Sequence, residues 1–159
     1  MAKITETEGH EHLSHVPANV WAAFFILMSL TTTIGFICSW ILNDALFPAA
    51  LFLAALFNIV ATLIKYRIKE KNVLGEISLG ASLVADLHLI PACVLVLQIV
   101  MVTGKFFVEI PVAHDFAAVG AVGFALGAVV ANMVSVAIVV INESLQFEYL
   151  RKYKRVRAK

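Results

Sequence analysis

The sequence predicts an all-α protein, a polytopic transmembrane four-helix bundle with both termini cytoplasmic. Three observations carry this expectation. Of 159 residues, 61% are hydrophobic and only 14% charged, against about 25% charged in soluble domains. Most of the charges crowd into the first 15 residues, the segment from Lys65 to Glu76, and the tail from Glu143. Between them lie four apolar stretches, each able to supply the roughly 20 residues that a bilayer-spanning helix needs.

A polar N-terminal segment, residues 1–17, precedes the first span, expected from about Ala18 to Leu42. This span lacks the short apolar core and small-residue cleavage site of a removable signal, so it reads as a retained membrane helix. The turn "NDALFP" is short, which makes the second span, Pro48 to about Ile64, the antiparallel partner of the first. Pro17 and Pro48 fall at helix starts, where a missing N–H costs nothing. A third span is expected over about Ile77 to Val102 and a fourth over about Phe116 to Ile141, so the membrane domain occupies residues 18–142. Residues 143–159 form a basic C-terminal helix or tail, with Glu148 and Lys152 spaced to pair along it. With this topology 11 of the 12 Lys and Arg residues fall on one face and only Lys105 on the other. The positive-inside rule makes that face cytoplasmic.

Within the first span, "LMSLTTTIGF" resembles a potassium-channel filter as a string of letters. The filter needs two glycines, and Ile37 stands where the second belongs; nor does a membrane helix precede it. A helical reading is simpler. Thr31, Gly35 and Ser39 recur at i, i+4 and i+8, a small-residue stripe for helix packing, while neighbouring hydroxyls bond to carbonyls one turn back. The fourth span repeats the device with Gly120, Gly123, Gly127, Ala131 and Ser135, an interface within the protomer or between protomers.

The segment "SLVADLHLIPAC" carries the most chemistry. Asp86 and His88 are expected near the bilayer midplane, where a carboxylate costs a few kcal/mol and needs a partner, water or a proton. Two positions along a helix turn about 200°, so the two side chains diverge. Pro91 removes the hydrogen bond to the Leu87 carbonyl, for kinking or for exposing backbone beside the acid. Counting residues from the span ends brings Ser29, Asn58, Asp86 and Asn132 to one height, one from each helix. Such a layer holds the bundle by hydrogen bonds of about 0.6 kcal/mol each, or lines a proton or cation site with His88 as a polar helper.

Other chemistries are disfavoured. Membrane haem wants paired axial histidines, and only His88 is deep; His114 and His15 belong near opposite surfaces. The N-terminal "EGHEHLSH" places His10, His12 and His15 among Glu8 and Glu11, a composition that metals accept but that termini commonly carry without one. Cys38 and Cys93 lie inside apolar runs and read as small packing residues. No nucleophile–base set or phosphate loop is present, so no enzyme, cofactor, resident metal or nucleic-acid partner is expected.

The stretches "LFNIVATLIKY" and "ISLGASLVADLHLI" are similar to those of a family of small bacterial integral membrane proteins of unknown function. The asparagine before an Ala-Thr pair (Asn58) and the Ser-Leu-Val-Ala-Asp run (Ser82 to Asp86) carry the resemblance. It covers about the first 100 residues and not the fourth helix. It implies a bacterial inner-membrane protein and no activity. Two functions are therefore expected: a homo-oligomeric channel or transporter for protons or cations using Asp86, or a non-transporting accessory subunit of a larger membrane complex bound through its basic tail.

Overall fold

The chain was analysed as a computed structural model that describes residues 18–68, 73–111 and 115–157. Four helices dominate: α1 (Ala18–Asn43), α2 (Pro48–Ile68), α3 (Val73–Thr103) and α4 (Phe116–Arg157). Each contains a stretch long and apolar enough to cross a membrane. α1 packs on α2, α2 on α3, α3 on α4 and α4 on α1, an up-and-down ring.

A regular inner seam explains the packing. On α1 the buried positions include Ala22, Ile26, Ser29, Thr33 and Phe36; on α3 they are Ser78, Ser82, Ala85, Leu89, Ala92, Val96 and Ile99. Alternating steps of three and four keep one face inward along a gently supercoiled helix. On α4 the seam is mostly alanine (Ala118, Ala121, Ala125, Ala128), which lets backbones approach closely before Asn132 and Ser135 continue it. Outward positions stay apolar, among them Trp21, Leu56, Leu87 and Val102. Helices apolar on every side suit a lipid surround rather than water.

The helix ends are built locally. Asp44 adopts φ 48° and Gly104 φ 68°, and their N–H groups bond back to the Trp40 and Val100 carbonyls at 3.1 and 2.7 Å. Both are left-handed residues that stop a helix and satisfy one of its last carbonyls. Just beyond, β1 (Ala45–Leu46) pairs antiparallel with β2 (Ile110–Pro111). This two-residue bridge was not expected from the sequence. It ties the α1–α2 turn to the α3–α4 connection and buries Leu46 and Ile110 as a lid over that end of the core.

The small-residue stripes behave differently from expectation. Thr31 and Gly35 are exposed, and no side chain or foreign backbone lies within 4 Å of a Cβ built on Gly35. Ser39 reaches the connection instead, donating to Glu109 at 3.3 Å. On α4, Gly123 is likewise exposed and open, whereas Gly120 and Gly127 face α3. The reason is geometric: each four-residue step overshoots a full turn by about 40°. Gly123 and Ser135, three such steps apart, therefore cannot share a face. α4 then continues without a break to Arg157. The histidines His10, His12, His15 and His114 lie outside the described residues.

Candidate functional site

Asn58, Thr62 and Lys65 fall at i, i+4 and i+7 on α2, so one face of that helix is polar for two turns. Ser78, Ser82 and Asp86 do the same on α3, at i, i+4 and i+8. Packing α2 against α3 brings the two stripes together. The Asn58 side-chain amide donates to Asp86 Oδ1 at 2.7 Å and to the Ser82 carbonyl at 3.2 Å. The Thr62 hydroxyl donates to Asp86 Oδ2 at 2.7 Å. Both carboxylate oxygens thus accept from α2, and charge-assisted bonds of this length are the strong ones.

One turn toward the basic end of the bundle sits a charge that sequence reasoning misplaced. Lys65 was counted with Arg67, Lys69 and Lys71 as a surface marker of topology. Its side chain instead turns inward and is only 9% exposed. Nζ donates to Ser78 Oγ and Ser82 Oγ at 2.8 Å each, to the Ser78 carbonyl at 3.2 Å, and to Ser135 Oγ. Its ammonium thus meets hydroxyls and a carbonyl of α3 and α4, the hydrogen-bonding surround it needs when removed from water. Ser82 Oγ and Ser135 Oγ lie 3.1 Å apart, and Ser135 Oγ also donates to the Ser78 carbonyl at 3.1 Å. Lys65 thereby joins three helices. The signal was available in the Asn58–Thr62–Lys65 spacing, but a hydropathy reading treats any lysine after an apolar run as its end.

The remaining members of the expected layer form a second pair. Asn132 on α4 donates to Ser29 Oγ on α1 at 3.3 Å, and both residues are fully buried. Ser29 also takes the Thr33 hydroxyl on its carbonyl at 2.7 Å. The structure thus brings Asn58 to Asp86 and Asn132 to Ser29.

His88 lies elsewhere. Its Nδ1 is 2.8 Å from the Val84 carbonyl one turn back, a contact that requires a proton on Nδ1. The ring lies over Gly127 and edge-on to Phe124. A Cβ at position 127 would overlap His88 Cδ2, so glycine there makes room for the imidazole. His88 is a seam residue between α3 and α4 rather than a helper of Asp86. Pro91 is half-buried, and α3 remains helical through it.

A cavity of about 360 Å³ opens at the basic end, lined by Asn19 and Ala22 of α1, Lys65 and Tyr66 of α2, Glu76 and Ser78 of α3, and Asn142 of α4, among others. All four helices meet there, so the start of α1, the α2–α3 junction and the late part of α4 share one end of the molecule. Asn19 also bridges to Glu143 at 3.1 Å. Lys65 and Ser78 of the serine cluster line the cavity, and Ser82, bonded to Lys65, also accepts from Asn58, the partner of Asp86. Past Asp86 the interior is apolar to the opposite end, filled by Phe36, Leu51, Leu89, Val96 and their neighbours. Among the described residues no group of three metal-ligating side chains is gathered.

No curated protein and no solved structure matches the chain. A family model does match, over residues 47–143, more than half of the length. It leaves out α1, with Ser29, and includes α4 as far as Glu143, which the resemblance read from the sequence did not cover. Asn58, Thr62, Lys65, Ser78, Ser82, Asp86, Asn132 and Ser135 all lie inside it. The chain belongs to DUF6394, a family of unknown function.

Proposed function

We propose that this protein is a small multi-pass transporter of the bacterial inner membrane that carries protons on Asp86, reached from the cytoplasm. The observation that carries the reading is an acid at the middle of a 31-residue helix, held by two donors and linked through Ser82 and Lys65 to a cavity at the basic end. Intramembrane acids in such surroundings mark proton and ion pathways. The basic residues gathered at the cavity end favour a cytoplasmic opening. A cavity at the basic end, with an apolar core beyond Asp86, suits a carrier that alternates better than a continuously open pore.

Protons fit better than metal cations. Asp86 already faces two hydrogen-bond donors, and the nearby serine oxygens are turned toward Lys65. A hard cation would need several free oxygens at once, and the Lys65 charge opposes its approach. Self-association through the outward faces around Gly35 and Gly123 accompanies this reading.

The test is flux. Purified protein in sealed liposomes, with an imposed potential and an internal pH dye, should acidify or alkalinise the lumen. Asp86→Asn should reduce that rate to the level of empty vesicles. Equal flux in both proteins, or none above empty vesicles in either, contradicts the proposal.

One observation favours a second reading, an accessory subunit. α4 runs 42 residues, about 63 Å at 1.5 Å per residue, twice the hydrocarbon thickness. Its basic extension offers a rigid arm for a partner complex. Recovery of one stoichiometric complex that tail truncation abolishes, with no flux, supports this alternative.

A further inference from the structure

The Asn58 and Asn132 side chains are both 0% exposed, and the Oδ1 atom of each has no hydrogen-bond partner. For Asn58 this orientation is forced. Its amide nitrogen uses both hydrogens, on Asp86 Oδ1 and the Ser82 carbonyl, and turning the amide over would set its oxygen against two acceptors. For Asn132 the exchange with Ser29 works either way round, but one amide atom is left over in both cases. A carbonyl oxygen stranded in an apolar interior is costly, and native proteins rarely keep one without an occupant beside it.

Both residues lie close to the Ser82–Ser135 contact between α3 and α4. Asn58 is bonded to Ser82, Asn132 lies one turn from Ser135, and Ser82 Oγ and Ser135 Oγ are 3.1 Å apart. We infer that internal water occupies the core at this level, donating to Asn58 Oδ1 and Asn132 Oδ1 and joining the two polar pairs into one hydrogen-bonded layer across all four helices. Water suits these atoms because it brings donors and carries no charge. A monovalent cation would also satisfy carbonyl oxygens, but the buried Lys65 ammonium, embedded in the same serine contact, opposes a second positive charge.

This inference deepens the proton-carrier reading, because the layer would supply Asp86 with a hydrogen-bonded reservoir reaching α1 and α4, yet it stands on separate observations. The experiment is water-edited solid-state NMR on the full chain in lipid bilayers with labelled asparagine. The side-chain amides of Asn58 and Asn132 should receive water magnetisation within about twofold of the time needed by exposed Asn43, as contact with bound water requires. Replacing sodium chloride by choline chloride should leave their shifts unchanged. In Asn132→Leu, transfer to Asn58 should slow at least about threefold as the shared layer loses a wall. Absence of transfer to both amides in the unaltered protein overturns the inference. So does a sodium-dependent shift, which would make the occupant a cation. The readout needs no flux, so a failure of liposome transport would reject the proton-carrier reading while leaving the hydrated layer standing.

Discussion

The two halves of this bundle have the same seam geometry and opposite chemistry. From Asp86 toward the basic end, inward positions carry Asn58, Thr62, Lys65, Ser78, Ser82, Asn132, Ser135 and Asn142. From Leu89 toward the β1–β2 bridge they carry Leu, Val, Ile, Phe and Ala. Helix propensity and packing register do not change at the boundary; only what the seam positions hold changes. In lipid the apolar half gains little from exclusion of water, since acyl chains are as apolar as leucine, so its cohesion rests on close packing. The polar half is held by directional bonds whose loss strands donors where no water replaces them.

Substitutions can break this contrast in graded ways, read as unfolding free energies in mixed micelles. The largest effect is expected from Asp86→Leu, which removes the acceptor for the Asn58 amide and the Thr62 hydroxyl. Two charged-group hydrogen bonds set the loss on the order of 3–5 kcal/mol. Asp86→Asn should cost clearly less, because it keeps shape and one acceptor. A loss below about 1 kcal/mol for the leucine variant would mean that the polar half is not cohesive.

Next comes the seam between α3 and α4. Gly127→Ala puts a methyl into the His88 ring and should cost about 1–3 kcal/mol by overpacking, with a shifted His88 ring resonance as its signature. An unchanged ring resonance would mean that the imidazole does not rest on this glycine. In the apolar half, Leu89→Ala should cost roughly 1–2 kcal/mol, less than the water-soluble norm because only packing is lost. It should leave any Asp86-dependent flux intact, whereas Lys65→Met should alter that flux. The smallest effect, within about 0.5 kcal/mol, is expected for Thr31→Ala, whose hydroxyl bonds at 2.8 Å to the Leu27 carbonyl of its own helix and faces outward. A larger loss would point to a neighbouring copy on that face.

How far the sequence foretold this arrangement depends on the kind of signal. The starts of α1, α2 and α4 agree with the expected ones, because proline, a polar preface and a composition change are local events. α3 begins earlier than expected, at Val73, because Glu76 is tolerated in a first turn. That Asn58 can meet Asp86, and Asn132 meet Ser29, was readable from residue counts, since rise per residue is fixed. Which face each residue takes was not, because nearly uniform hydropathy around each helix gives no rotational preference. Hence the outward turn of Thr31, Gly35 and Gly123, the placement of His88 over Gly127, and the inward turn of Lys65. The last had a legible clue in its spacing from Asn58 and Thr62. Only the packed partner helices show that the clue was meaningful.

The division of the core is tested most directly by cysteine accessibility in a background with Cys38 and Cys93 replaced by alanine. Single cysteines at Ser78 and at Ala92 would be challenged, in bilayers, with a small membrane-impermeant thiol reagent added to either side. The expected result is labelling of the Ser78 position from the basic side alone and protection of the Ala92 position from both. Labelling at Ala92 as fast as at Ser78 would show water running the length of the bundle and contradict a polar half that ends at Asp86.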